Sequence, residues 1–255
     1  MTASPISLAD AAEVFVRGLA IVRSMTYSYT VNLADGVWML RAEPDREKAR
    51  ASELTAIEPT VEQIHARVAA VSPALRRWML CYLEPEDLAA PRTRPPAPVA
   101  FRDAGYRRRS IEPLFVADPA RTPRFEGPVV RVRTPELAER ARLANSGRRQ
   151  LMPGDLDTDD APTRLYVAMD GRDVVGCVSS VRVGPLGASV VNLFVAGSAR
   201  RRGLGRALMS AALADDERLG IQASVLTASN DGTRLYPQLG YQQIATLHAL
   251  DLPRR

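Results

Sequence analysis

The sequence is poor in lysine, cysteine and long apolar runs, and each shortage excludes a class of protein. Lys48 is the only lysine, so the net charge of +5 is carried by arginine. Cys81 and Cys177 stand far apart in apolar segments, which predicts buried free thiols and neither a disulfide nor a metal site. No run reaches the ~18–20 apolar residues of a membrane helix, and no secretory signal is visible, so we expect a cytoplasmic protein without a membrane partner.

The arginine excess does not by itself indicate a nucleic-acid partner. The arginines at 107–109 and at 148–149 lack interleaved aromatic residues and a known nucleic-acid motif. We interpret them as solvated surface and predict no nucleic-acid binding. A length of 255 residues with 46% hydrophobic residues is enough for one or two packed domains.

The most informative segment is an arginine-rich loop with two glycines. It follows an apolar segment at 190–195 and precedes an amphipathic one at 204–219, so it predicts a strand, a tight loop and a helix. Such a loop presents backbone N–H groups to an anion at the helix start. The lysine of a Walker A loop is missing, and Leu208 replaces the third glycine of a dinucleotide fingerprint. What is left is Arg-x-x-Gly-x-Gly, at Arg200, Gly203 and Gly205.

A second motif follows at 230–241. It begins with Asn230, carries Tyr236 near the end of a predicted short helix, and closes with a Leu-Gly-Tyr step at 239–241. In this order and at this spacing, the two motifs resemble those of the GNAT superfamily of acetyl-CoA-dependent N-acetyltransferases. The resemblance covers about the last half of the chain, taking a domain as roughly 100–150 residues.

The resemblance implies a role for each matching position. Backbone groups of the loop would bind the pyrophosphate of acetyl-CoA, and the strand before it would pair with the pantetheine arm. The implied cofactor-binding residues are Leu193, Phe194, Val195, Arg200, Arg201, Arg202, Gly203, Leu204, Gly205, Arg206 and Asn230. The Val195 N–H would donate to the thioester oxygen.

Tyr236 is the candidate catalytic residue, as the general acid that protonates the leaving thiolate. A free phenol has a pKa near ~10 and a thiol one near ~8.5, so a neutral tyrosine can protonate a thiolate. The alternative is a core tyrosine whose hydroxyl bonds a backbone carbonyl. Asn230 has a similar alternative, as a simple helix cap.

No general base is assigned. Relatives carry a glutamate in the strand where this chain has Val191, and the neighbouring Asn192 cannot accept a proton. His248 lies in an apolar strand and is more typical of a structural role. The acidic loop from Asp155 to Asp160 is open to two interpretations, as a site that attracts a cationic amine or as a solvated loop. A water molecule, or an amine that arrives neutral, would also suffice.

Local signals predict several element boundaries in the first half. Ser7 is a candidate N-cap for the first helix, and Thr60 with Gln63 is a capping-box pair for a second. A hairpin is predicted to turn at Asp35–Gly36.

The chain also contains a weak internal repeat. Phe101 and Tyr106 stand 135 residues before Tyr236 and Tyr241, in similar surroundings. We therefore predict an α+β (α/β) fold of two GNAT-like units, each a mixed, mostly antiparallel central sheet flanked by helices. The N-terminal unit, residues 1–122, is eroded, and the GNAT domain spans residues 123–255. The first unit lacks the glycine motif and has Phe101 where the second has Tyr236, so it should not be a second active site. Chance similarity of two unrelated halves is the alternative.

The leading functional hypothesis is an acetyl-CoA-dependent N-acetyltransferase that moves an acetyl group to an amine by direct attack. The acceptor, a small molecule or a peptide, is not specified by the sequence, and neither is the choice between monomer and homodimer. The alternative is a non-catalytic module that binds or senses acyl-CoA. A third hypothesis is a transferase that uses another acyl group, or a thiol or hydroxyl acceptor.

Overall fold

The computed structural model describes residues 4–43, 51–71, 78–86, 99–156, 158–229 and 232–251. The predicted α+β class is confirmed, because one mixed sheet is flanked by helices. The helices are α1 (Leu8–Ser24), α2 (Val61–Val71), α3 (Val99–Asp103), α4 (Pro135–Ala144) and α5 (Leu204–Arg218). The strands are β1 (Tyr29–Ala34), β2 (Val37–Ala42), β3 (Ser52–Ile57), β4 (Trp78–Pro85), β5 (Arg107–Ala117), β6 (Val129–Arg131), β7 (Thr163–Asp170), β8 (Asp173–Val183), β9 (Gly187–Val195), β10 (Ser224–Thr227) and β11 (Gln242–Asp251).

Local capping and turn chemistry set several of these boundaries. The Ser7 hydroxyl accepts a hydrogen bond from the Asp10 N–H (3.1 Å) and caps α1. The Gln63 N–H donates to Thr60 Oγ1 (3.1 Å) at the start of α2. Asp35 and Gly36 have φ values of 52° and 73°, the left-handed pair that a tight hairpin between β1 and β2 requires. These three predictions are confirmed.

The eleven strands form a single sheet in the order β1-β2-β3-β4-β11-β5-β10-β9-β8-β7-β6. In each half a parallel pair is joined by a helix: α2 connects β3 to β4, and α5 connects β9 to β10. The last strand of each half pairs with a strand of the other half of the chain. The C-terminal β11 pairs with β4 and the N-terminal β5 pairs with β10, while β5 and β11 pair with each other.

This exchange joins the two predicted units into one body. The boundary predicted between residues 122 and 123 stays a prediction, although it falls in the connection from β5 to β6. Because β5 and β11 cross between the halves, neither half completes its part of the sheet from its own strands.

The two faces of the sheet are covered by different helices. On one face, which we call the α1 face, α1 packs with residues of β4, β5, β10 and β11 in a group that we call the α1 cluster. On the same face, α4 packs over β7 and β8. On the other face, which we call the α5 face, α5 packs over β7 to β10 and α2 packs over β2 to β4. Cys81 and Cys177 are buried and free, as predicted. Among the described helices, none has the length and apolar character needed to span a membrane.

Candidate functional site

The glycine loop leads directly into the N-terminus of α5. A short 3-10 helix at Gly197–Ala199 follows β9, and Gly203 then caps α5 in the left-handed conformation with φ 80°. The first N–H groups of a helix have no carbonyl partner within it, and the helix dipole adds positive potential there. The loop therefore presents the anion-binding geometry that the sequence predicts.

The two glycines of the motif have different reasons to be glycine. Gly203 has a positive φ, which residues other than glycine rarely adopt. At Gly205, an added Cβ would meet only Leu235 Cδ2, at an ordinary contact distance of 3.6 Å. Packing of the described protein atoms therefore does not require glycine at 205. A glycine that packing does not require is consistent with a ligand lying against the backbone at this position.

The four arginines around this loop are not equivalent. Arg200 donates from Nε to the carbonyl oxygen of Val195 (3.1 Å), and Arg202 forms an ion pair with Asp170 (2.6 Å). Arg206 lies over the ring of Phe125, 4.9 Å from its centroid. Arg201 is exposed and forms no ion pair within the described chain. Arg201 is therefore the arginine that the protein leaves available to an anion.

The strand before the loop separates from its parallel neighbour. Within the described residues, β9 pairs with β10 only at Ala188–Ser224 and Ser189–Val225, although β9 continues to Val195. Beyond that point the edge of β9 faces an opening in the sheet, which we call the split. Half-buried Leu193, Phe194 and Val195 lie along it.

The backbone of β9 is also irregular beside the split. Between the Cys177–Phe194 and Ser179–Val191 pairs the register slips, so that Asn192 and Leu193 both lie opposite Val178. Asn192 has φ 58°, a left-handed conformation that asparagine tolerates better than most residues. Such a bulge redirects the strand and commonly accompanies a functional site. The bulge was not predicted from the sequence, where its signal is a polar residue, Asn192, within an apolar strand.

The bulge and the pairing define which backbone groups face the split. The Ala196 N–H donates to the Val175 oxygen on β8 (2.8 Å). Because successive N–H groups of a strand point to opposite edges, the Val195 N–H points away from β8 and toward the split. Leu193 and Val195 pack toward the α5 face, and Phe194 packs toward α4.

Tyr236 lies on the α5 face close to this region. It begins a 3-10 helix at Tyr236–Leu239, where the sequence predicted a helix with the tyrosine near its end. Its ring packs between those of Phe115 and Tyr241, with centroids 5.7 Å and 5.6 Å away. Burial raises the pKa of Tyr236 to about 12, so the hydroxyl is neutral at physiological pH. The hydroxyl is not among the fully buried polar atoms that lack a partner in the described chain. Asn230, the other motif residue, lies outside the described residues.

The residues considered as bases are placed elsewhere or are already engaged. His248 is buried between β4 and β5, with Nε2 2.9 Å from Glu84 Oε2. In the acidic loop, Asp155 accepts from the Met152 N–H (2.8 Å), and Asp159 pairs with Arg133, which lowers the pKa of Asp159. Asp157 lies outside the described residues. This geometry favours a structural histidine and a structural loop. Within the described chain, no group of three or more His, Cys, Asp or Glu side chains is placed to hold a metal ion.

The corresponding region of the N-terminal half is closed. There β3 and β4 stay paired over six positions, from Ser52–Trp78 to Ile57–Leu83, so no split opens between them. The ring of Phe101 packs against Tyr106 (5.1 Å), as that of Tyr236 packs against Tyr241, but Phe101 carries no hydroxyl. The described chain therefore has one open split, and it lies in the C-terminal half.

A parallel strand pair that splits beside a glycine-capped helix leaves room for an extended ligand that carries an anion. Residues 161–243 match the family described as Acetyltransferase (GNAT) domain. No curated protein matches the chain.

Solved structures extend the likeness beyond that segment. A GCN5-related N-acetyltransferase from Kribbella flavida is 20% identical, with 98% of each chain covered and a TM-score of 0.63. One from Sphaerobacter thermophilus is 16% identical over 99% of this chain and 97% of its own, with a TM-score of 0.54. A tandem GNAT protein from the clavulanic acid biosynthesis pathway is 17% identical over 98% of this chain and 89% of its own, with a TM-score of 0.51.

These findings identify the fold of the chain. Residues 161–243 match the GNAT acetyltransferase domain family, and the matching segment includes the loop, the split and Tyr236. The structural neighbours share the fold over nearly the whole chain, including the N-terminal half that the family match does not reach.

Proposed function

We propose that the protein is an acetyl-CoA-dependent N-acetyltransferase whose cofactor site lies in the C-terminal half. The observation that carries this proposal is the split between β9 and β10 beside the glycine-capped start of α5. An extended arm fits along a free strand edge, and a pyrophosphate fits at the helix N-terminus. A cytoplasmic location, and a monomer or homodimer, stay predictions.

The residues present fit this cofactor. The N–H groups of Gly203, Leu204 and Gly205 would hold the pyrophosphate, with Arg201 as the available positive charge. The Val195 N–H, which points to the split, would donate to the carbonyl oxygen. Gly205 supports the same assignment, because packing of the described protein atoms does not require a glycine there.

When bound, acetyl-CoA supplies a thioester whose carbonyl carbon bonds to the amine nitrogen as the bond to sulfur breaks. Tyr236 would donate its phenolic proton to the leaving sulfur, because its raised pKa keeps that proton in place at working pH. Burial of the ring between Phe115 and Tyr241 holds the hydroxyl in one position. In this proposal the proton lost by the amine passes to water, and Tyr236 regains its proton from water after the thiol has left.

The eroded N-terminal unit has a supporting role in this proposal. Its last strand, β5, carries Phe115 and forms the neighbour of β10. Its own parallel pair stays closed. It therefore shapes the site of the other half and does not bind a second cofactor.

The deciding experiment measures binding and turnover on the same protein. Calorimetry with CoA tests the site, and release of CoA from acetyl-CoA with a panel of primary amines tests the reaction. We expect one CoA per chain and amine-dependent release. CoA binding without release across the panel would favour the alternative, a non-catalytic acyl-CoA-binding module, for which Val191 at the usual position of the base is the supporting observation. No CoA binding would contradict both.

A further inference from the structure

Because the strands are exchanged, β5 of the N-terminal half lies beside β10, one of the two strands that border the split. Pairing between β5 and β10 ends at Leu114–Thr227, and the Ala228 N–H donates to the Pro113 oxygen (3.1 Å). The next residue along β5, Glu112, therefore lies at the level where β10 has ended and β9 has already separated. The strand pairing therefore places a carboxylate of the first half level with the end of β10, a position that we call the mouth of the split.

The strand alternation decides which face this carboxylate occupies. Leu114 and Val116 pack in the α1 cluster, whereas Phe115 packs with Tyr236 on the α5 face. Successive side chains of a strand point to opposite faces, so Glu112 lies on the α1 face. The residue paired with Glu112 on the neighbouring strand β11 is Leu247, which also belongs to the α1 cluster. Glu112 and Tyr236 are thus on opposite faces of the sheet at the split.

Electrostatics agree with this placement. The pKa of the buried Cys81 thiol is raised well above its ordinary value, first by burial, then by Glu53, with Glu112 also contributing. Cys81 belongs to the α1 cluster, so the Glu112 charge acts on that face. Arg23, which pairs with Glu53, acts in the opposite direction on the same thiol.

The described part of the chain offers Glu112 no counter-ion. Its side chain is half-buried, and Ser110 Oγ donates to Oε1 (3.1 Å). Within the described chain Glu112 forms no ion pair, whereas the buried carboxylates of Glu53 and Asp216 each pair with an arginine. A partly desolvated carboxylate without a counter-ion attracts a cation more strongly than a solvated one does.

We propose that Glu112 binds the ammonium group of the acceptor and so selects aliphatic amines that are cationic at neutral pH. This inference rests on the proposed transferase function. The acceptor would approach from the α1 face while Tyr236 acts from the α5 face, so the N-terminal half would contribute the charge that selects the substrate. Glu112 is a binding residue in this proposal and accepts no proton; the bound ammonium loses a proton to water before its nitrogen attacks the thioester.

The test compares Glu112→Gln, which removes the charge but keeps an acceptor for Ser110, with Glu58→Gln. Glu58 is an exposed carboxylate of the same half, in the connection between β3 and α2, so its variant changes net charge equally. The acceptors are 2-phenylethylamine, spermidine and glucosamine, which are cationic at neutral pH, and aniline, which is neutral. Initial rates give KM and kcat, and calorimetry measures amine binding to the CoA-loaded protein and CoA affinity.

We expect Glu112→Gln to raise KM for the cationic amines about tenfold, as for the loss of one ion pair, with kcat, the KM for aniline and CoA affinity unchanged. Glu58→Gln should behave as wild type. An unchanged KM, a loss of kcat alone, or wild-type protein that binds none of the cationic amines would overturn the inference. Amine binding that depends on Glu112, without CoA release by wild type, would support the inference and contradict the transferase function.

Discussion

The ring of Tyr236 packs against the ring of Phe115 with their centroids 5.7 Å apart, although the two residues come from opposite halves of the chain. Phe115 belongs to β5, the strand that the N-terminal half contributes beside β10. The proposed general acid is therefore positioned by a residue of the half that lacks the cofactor motif.

This contact predicts that Phe115→Leu lowers kcat about tenfold by loosening Tyr236, with CoA affinity unchanged. Phe101→Leu is the matched control, because Phe101 is equally buried and packs on Tyr106 in the closed region of the first half. Both variants should lose about 1–2 kcal/mol of unfolding free energy. Steady-state kinetics and urea unfolding separate the two effects, and equal kcat values for the two variants would contradict the positioning role.

The hydroxyl of Tyr236 should matter for rate more than for stability. We expect Tyr236→Phe to lower kcat about 10²-fold while CoA affinity is kept. Tyr241→Phe is the control, since the Tyr241 hydroxyl bonds Ser224 Oγ (2.6 Å), and its loss should cost about 1 kcal/mol of stability without lowering kcat. A Tyr236→Phe enzyme with wild-type kcat would exclude Tyr236 as the proton donor.

The pH dependence of kcat should report the raised pKa of Tyr236. The neutral phenol is the active form, and burial raises its pKa to about 12, so its proton is lost only as the pH rises through that value. We therefore expect no fall in kcat from Tyr236 ionisation between pH ~8 and ~10.5, where a tyrosine of ordinary pKa near ~10 would already lose activity. A fall in kcat centred near pH ~10 that disappears in Tyr236→Phe would show an unshifted pKa.

Substitution by alanine should have opposite effects on stability at the two loop glycines. Gly203→Ala forces a Cβ into a left-handed residue, at a cost of about 1–2 kcal/mol of stability. Gly205→Ala should keep or raise stability, by up to ~1 kcal/mol, because alanine favours helix and, among the described residues, the new Cβ meets Leu235 alone at an ordinary contact distance. We expect Gly205→Ala to weaken CoA binding at least ~10-fold in calorimetry. Unchanged CoA affinity would mean that the ligand does not lie against Gly205.

A buried ion pair should determine how firmly α5 is held on the sheet. Arg164 on β7 pairs with Asp216 on α5, both side chains are fully buried, and Ser180 Oγ donates to the same carboxylate (2.8 Å). Arg164→Leu leaves Asp216 buried without its partner and should cost about 3–5 kcal/mol in urea unfolding. Removing both charges with Leu at each position should cost less than the single change. A double variant as unstable as the sum of the single variants would contradict this coupling.

Local chemistry made much of the fold predictable. The Ser7 cap, the Thr60–Gln63 capping box and the Asp35–Gly36 turn each depend on residues within three positions of one another. The Arg-x-x-Gly-x-Gly spacing likewise predicted the strand, loop and helix start, because Gly203 supplies the conformation that this helix start needs. The family match to residues 161–243 includes that segment.

Long-range pairing made the rest unpredictable. Nothing in the periodicity of β5 or β11 shows that each strand lies in the other half, because an alternating strand is equally consistent with several neighbours. The roles of the arginines were equally hidden. Arg202 and Arg206 have partners in Asp170 and Phe125, which are distant in sequence, and Arg200 bonds the Val195 oxygen. Of the four arginines, Arg201 is the one without a partner among the described residues.

The sequence by itself predicted one anion-binding loop and determined that its glycines and the helix they start lie in the second half, since these are local features. Only the tertiary structure decided that the split beside this loop is open while its counterpart is closed, because strand separation depends on which strands pair. The same pairing brings Phe115 to Tyr236 and Glu112 to the mouth of the split, across more than a hundred residues of chain.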